Sequence, residues 1–170
     1  MKIKSFPELF EIGLRYVFDC EQKLVKKGIP SMIEASSSPE LGKALEQHLQ
    51  ETRNHVTRLE RVFTLMGTEP KTEDNDIIDE LTDMAEKMVK ATEDNSPLRD
   101  AALIVAGNEV EHYEMAAYGS LVSFARQMGK HEVAQLLQQT LEEEKAADAK
   151  LTQIGEHAIN PQAAQQRKAA

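Results

Sequence analysis

Tryptophan is missing from this 170-residue chain, and aromatic residues make up only 5% of it. Its core must therefore be filled by Leu, Ala, Val, Ile and Met. The single cysteine, Cys20, excludes an internal disulfide and any metal site built from several thiolates. Cys20 sits beside the apolar face of its helix and reads as a small buried hydrophobe rather than a reactive thiol. Basic residues are in the minority: 20 Lys and Arg stand against 29 Asp and Glu, for a net charge of -9. That balance argues against nucleic acid as a partner, since phosphates need clustered cations. It argues equally against an anionic membrane surface. No apolar run reaches the roughly 18 residues of a membrane span, and no signal-peptide core is present. A cytoplasmic protein is expected.

What remains is a chain rich in Leu, Ala, Met, Glu, Gln and Lys, all good helix formers. Few segments show the period-two alternation of strands. An all-α fold follows, and the helix ends are legible. Ser5-Phe6-Pro7-Glu8 looks like a capping box and opens a helix running to about residue 35. Gly28 and Pro30 fall late in that helix and predict a kink or break. Ser38-Pro39 starts a second helix, which Gly67 ends. Ser96-Pro97 repeats the signal for a third, ended near Gly129. A fourth starts at Lys130 or His131 and fades near Asn160-Pro161.

Short loops make helices one and two, and then three and four, antiparallel hairpins. The long connection from 68 to 95 holds a shorter amphipathic helix, marked by Ile77, Ile78, Leu81, Met84, Ala85, Met88 and Val89. Two hairpins joined by one long crossover is the ferritin-like four-helix bundle rather than a simple up-and-down one. Residues 1–160 form the single expected domain, with 161–170 as a flexible C-terminal tail.

Each of the four long helices carries acidic residues within its apolar stripe. The first reads Phe10, Leu14, Val17, Glu21, Leu24, Gly28, Met32. The second reads Leu41, Leu45, His48, Glu51, His55, Leu59, Val62, Met66. The third reads Leu103, Gly107, Glu111, Glu114, Tyr118, Leu121, Ala125, and the fourth Val133, Leu137, Leu141, Glu144, Asp148, Leu151. Steps of three and four keep each set on one helix face. Glu21 and Glu51 are as far apart in sequence as Glu114 and Glu144, 30 residues in each half. At about 1.5 Å per residue, the acidic positions meet at similar heights in a hairpin bundle.

A lone buried carboxylate is very costly, and several at one height need a cation. Two metals held by Glu and His are a common solution in a bundle core. Carboxylate and imidazole suit iron and manganese. The candidate ligands are Glu21, Glu51, His48, His55, Glu111, Glu114, Glu144 and Asp148. Either His48 or His55 can reach a metal shared with Glu51. Asp148 has an alternative in pairing with Lys145 or Lys150, and any single acidic residue on a stripe can simply lie at its exposed edge. His112 lies off the stripe. Tyr118 and Tyr16 read as core residues with satisfied hydroxyls, near enough to hydrogen-bond a ligand carboxylate.

Several segments carry a resemblance. Asp19-Cys-Glu-Gln-Lys-Leu24, His48-Leu-Gln-Glu-Thr52, Asp100-Ala-Ala-Leu-Ile, Glu109-Val-Glu-His-Tyr-Glu-Met-Ala-Ala-Tyr-Gly119 and Leu141-Glu-Glu-Glu-Lys-Ala-Ala-Asp148 resemble the YciF-like family of bacterial ferritin-like stress proteins. The likeness spans about residues 5 to 158. It implies a five-helix ferritin-like bundle, a homodimer, and a cytoplasmic role in stress. Among wider relatives, rubrerythrins carry Glu-x-x-Glu on their third bundle helix, and Glu111 and Glu114 match that spacing. The Glu-x-x-His of rubrerythrins and ferritins is not matched: Asn54 follows Glu51 at that step, and Ala147 follows Glu144.

Two functions are therefore expected to compete. One is a dimetal carboxylate protein holding two iron or manganese ions per chain and reacting with oxygen or peroxide. The other is a metal-free, non-enzymatic dimeric stress or scaffold protein on the same fold.

Overall fold

The computed structural model describes residues 2–165, and these contain helices but no strand. The elements are α1 (Phe6–Lys23), a π-helical turn (Leu24–Gly28), α2 (Ile29–Ala35), α3 (Pro39–Met66), α4 (Asp76–Lys90), α5 (Pro97–Gln127), α6 (His131–Ile154), a second π-helical turn (Gly155–Ile159) and α7 (Asn160–Gln165). Ser5, Ser38 and Ser96 cap α1, α3 and α5 by accepting the amides of Glu8, Leu41 and Arg99. Glu8 reaches back to the Lys4 amide at 2.8 Å, one residue before the partner a capping box predicts. Gly67, at φ +74°, ends α3, and the Thr68 amide returns to the Phe63 carbonyl at 3.0 Å.

The disturbance expected at Gly28 and Pro30 is present as a widened turn rather than a break, and the last helix runs on past Asn160-Pro161. Pro30 cannot donate to a carbonyl one turn back, and its ring crowds that carbonyl. The π-helical turn before it relieves both problems: the Ile29 amide bonds the Leu24 carbonyl, five residues back. The same device precedes Pro161, where the Asn160 amide bonds the Gly155 carbonyl. The first rod thus continues to Ala35. The segment expected to be a tail from 161 is helical and exposed through Gln165; residues 166–170 lie outside the described residues.

The helices pack in the cyclic order α1, α3, α6, α5. One end of the bundle gathers Phe10, Phe63, Leu121 and Val133, and the other Ile29, Leu41, Leu103 and Ile154. Hence α1 and α6 run one way, α3 and α5 the other. Because α3 and α5 are parallel, the chain must return along the whole bundle between them, and the connection carrying α4 does so. This is the ferritin-like arrangement of two antiparallel hairpins with a crossover helix. The two apolar clusters do not merge. Between them lies a layer at the level of Glu21, His55, Glu114 and Glu144. Below it, α5 and α6 approach so closely that a Cβ on Gly107 would lie 2.7 Å from Leu151 Cδ1.

The crossover is pinned by Asn75, which is buried. Its Oδ1 caps α4 by accepting from the Ile77 and Ile78 amides. Its Nδ2 donates to the Tyr16 carbonyl (3.0 Å) and the Tyr113 hydroxyl (2.7 Å). Alongside, Lys23 Nζ gathers Asp19, Asp74 and Asp79 at 2.8, 3.3 and 2.7 Å. Asn75→Ala is expected to lower stability by about 2 kcal/mol, through the lost cap and the lost bonds to the Tyr16 carbonyl and the Tyr113 hydroxyl. Hydrogen exchange should then quicken in α4 well beyond α3 or α6; uniform quickening would mean that Asn75 does not specifically anchor the crossover.

Candidate metal centre

Six polar side chains from four helices fill the layer between the apolar clusters. Glu21, Glu114, Glu144 and His55 are fully buried, Glu111 is 2% exposed, and His48 is 9% exposed. Their ligand atoms form two groups. Glu21, His55 and Glu144 each place one ligand atom within 4.8 Å of the others, and so do His48, Glu111 and Glu144. Glu144 belongs to both. Glu114 stands between them, with Glu21, Glu144 and Glu111 as its charged neighbours.

Two expected ligands stay outside. Glu51 is half-buried at the edge of the layer, 3.7 Å from His48 Nδ1 and bonded by Gln47 Nε2 at 2.9 Å. Asp148 turns toward α5, where His112 Nε2 lies 3.3 Å away on the exposed face. His48 and His55 both enter the layer, one in each group, so they are not alternatives for one position. Tyr16 is turned outward, 37% exposed. Tyr118 is buried and donates to Glu21 Oε1 at 2.5 Å. Cys20 is buried as expected, yet it is more than filler: its thiol donates to Glu114 Oε1 at 3.5 Å.

Glu143 and Arg58 were not anticipated. Glu143 lies off the apolar stripe of α6 and faces α3. Its carboxylate meets His55 Nε2 at 2.8 Å and takes both ends of the Arg58 guanidinium at 2.9 and 3.1 Å. Arg58 also donates to Thr140 Oγ1 at 2.6 Å. A proton on His55 Nε2 is thereby held by Glu143, and Nδ1 is aimed at Glu144 (3.0 Å) and Glu21 (3.4 Å). A carboxylate behind an imidazole fixes the ring's tautomer and orientation for use as a ligand.

Without a cation the layer neutralises itself with protons. Burial pushes the carboxyls of Glu21, Glu114 and Glu144 above the usual range, and for Glu114 the neighbouring carboxylates add to the rise. Burial opposes the charge on His55, but Glu144 and Glu21 outweigh it and carry the imidazole up to about 11. His48 is likewise raised, by Glu111 and Glu51 against its own burial. Burial, reinforced by these carboxylates, keeps Cys20 a thiol and Tyr118 a phenol.

A family model described as a domain of unknown function (DUF892) matches residues 5–164. Protein YciF of Escherichia coli K12 is 35% identical over 164 residues, covering 96% of this chain and 98% of that protein. The chain belongs to the YciF-like family. The crystal structure of the E. coli stress protein YciF superposes on this YciF-like chain with a TM-score of 0.87 at 34% identity, covering 93% of this chain and 99% of that one. YcfI from Rhodopseudomonas palustris, described there as a candidate structural protein, gives 0.86 at 34% identity over 89% and 95%. A Xanthomonas campestris protein, 22% identical, shares the fold with a TM-score of 0.73 over 92% and 95%. Among the described residues of this YciF-like chain, no helix is long and apolar enough to cross a membrane.

The donor set of this YciF-like protein fits a metal. Glu21 Oε2, Glu111 Oε2, Glu114 Oε2 and Glu144 Oε2 are buried without a hydrogen-bond partner, and Glu144 Oε1 faces only His55 Nδ1, at 3.0 Å. So many stranded acceptors at one level are unusual, because each forfeits its water without compensation. A mixed oxygen and imidazole set can hold a metal ion, and it suits first-row divalent cations.

Proposed function

We propose that this chain is a dimetal carboxylate protein of the ferritin-like class, binding iron or manganese and serving a redox task in stress. The observation that carries the reading is the set of stranded donors around Glu144. Glu21, His55 and Glu144 would hold one cation and His48, Glu111 and Glu144 the other, with Glu114 adding its charge to the layer. Charge supports the pairing: four carboxylates balance two divalent cations when both imidazoles are neutral. Iron bound there supplies electron exchange with dioxygen or a peroxide.

The chain's own residues set the conditions for that exchange. Glu143, clamped by Arg58, holds a proton on His55 Nε2 and leaves Nδ1 free to bind. The Tyr118 hydroxyl donates to Glu21 Oε1 and holds that carboxylate still. Apolar clusters above and below keep bulk water from the layer. A reductant must come from outside, since one cysteine builds no electron-transfer centre. The reading includes a cytoplasmic homodimer.

Anaerobic loading with ferrous iron, desalting and elemental analysis should find about two metals per chain. Oxygen uptake should follow on admitting air. Retention of no metal would return the layer to a proton-held slab and the chain to a metal-free scaffold.

A further inference from the structure

The layer is closed above and below by apolar clusters, so a cation needs a way in from the side. A cleft of about 290 Å³ between α3 and α6 offers one. Its walls are low because they carry methyl groups: Ala44 on α3, Ala146 and Ala147 on α6. Its floor is His48 and Glu111, whose Nδ1 and Oε2 atoms are buried and without partners. At its mouth stands Glu51, the only half-exposed residue among the expected carboxylate ligands that touches the layer, within 3.7 Å of His48. The cation on the rim, Lys150, lies 3.9 Å from Glu40.

We propose that this cleft is the loading route for divalent metal, with Glu51 capturing the cation from solvent and Ala147 keeping the passage open. The inference rests on the metal reading above. It gives Glu51 a task that its position allows: a carboxylate in contact with both water and His48 can replace part of a cation's hydration shell before the buried ligands replace the rest. The alanines matter because a bulky side chain at Ala44 or Ala147, which line the cleft with His48, would narrow it.

Anaerobic stopped-flow with Co2+, read through a dye that reports the free ion, tests the route. Wild type should take up Co2+ to completion. Ala147→Leu should slow uptake about tenfold or more and reach the same final stoichiometry. Glu51→Gln should slow it several-fold and flatten its dependence on ionic strength, as expected when a steering charge is lost. Uptake by Ala147→Leu at the wild-type rate would overturn the route while leaving the metal reading intact. Absence of uptake by wild type would overturn both. Loss of a metal at equilibrium in Glu51→Gln would make Glu51 a resident ligand and end its role at the mouth. If Ala147→Leu does not fold by circular dichroism, Ala44→Leu on the opposite wall carries the same test.

Discussion

Glu144→Gln is expected to abolish binding of both metals, where a change at any ligand of a single group should first remove one. Among the described residues Glu144 alone belongs to both groups of ligand atoms, and within the protein its Oε2 has no hydrogen-bond partner while Oε1 faces only His55 Nδ1, at 3.0 Å. A neutral amide there removes the shared anion and offers one weak carbonyl in its place. The thermal signature should be large. A ligand present at a hundred times its dissociation constant stabilises the native state by about 2.7 kcal/mol per site. Two such sites amount to about 5 kcal/mol, or about 10–20 °C in Tm for a domain of this size. Wild type should show that rise on loading and Glu144→Gln none. Without metal no such gap should appear: the substitution removes one anion from a crowded, dry layer but also a partner of the His55 imidazolium, and the two effects oppose each other. Calorimetry with and without Mn2+ reads both effects. A Glu144→Gln protein that melts like wild type in Mn2+ would show that the shared carboxylate is not where the metals meet.

The residues that the sequence identified and those it missed differ for one geometric reason. Caps, prolines and glycines marked every long helix, and the spacing of Glu21, Glu51, Glu114 and Glu144 placed the acidic level. A stripe, however, is about 100° wide, and residues on it do not all point to the axis. Taking 100° per residue, His48 and His55 lie about 20° apart around α3, while Glu51 falls about 60° to one side of His48. Glu51 therefore reaches the edge of the layer and the two imidazoles reach its centre. Asp148 falls about 40° from Glu144, toward α5, where His112 meets it. Glu143 lies about 100° from Glu144, off the stripe altogether, and only the packing of α6 on α3 reveals that it backs His55. The resemblance to stress proteins could not show the π-helical turns either. A proline in a helix predicts a disturbance, but whether the chain breaks or widens depends on the rods packed beside it.

Melting the metal-free protein between pH 6 and 8.5 should give falling stability, and melting the loaded protein should give a gap that widens over the same range. The sign comes from the imidazoles. His55 titrates near 6.5 in an unfolded chain and at about 11 in the fold, where Glu144 and Glu21 hold its proton against the penalty of burial. His48 is raised for similar reasons. Between the two values the folded state binds a proton that the unfolded state lacks. That stabilisation is complete below the unfolded value and drains away as pH climbs toward the folded one. The raised carboxyls of Glu21, Glu114 and Glu144 act in the same direction from a lower starting point. Carboxylates held low at the surface, such as Glu86 and Glu142, have finished titrating below this window and add no slope. Each proton taken up on folding tilts stability by about 1.4 kcal/mol per pH unit, so Tm should fall by about 3–5 °C per unit. Metal reverses the dependence. It needs ionised carboxylates and neutral imidazoles, so loading expels about two to four protons and tightens as pH rises. Chelator-treated and Mn2+-loaded samples melted side by side should therefore diverge toward alkaline pH. Metal-free stability rising across this range would mean that the fold does not hold His48 and His55 as imidazolium ions, and the layer would have no protons for a metal to displace.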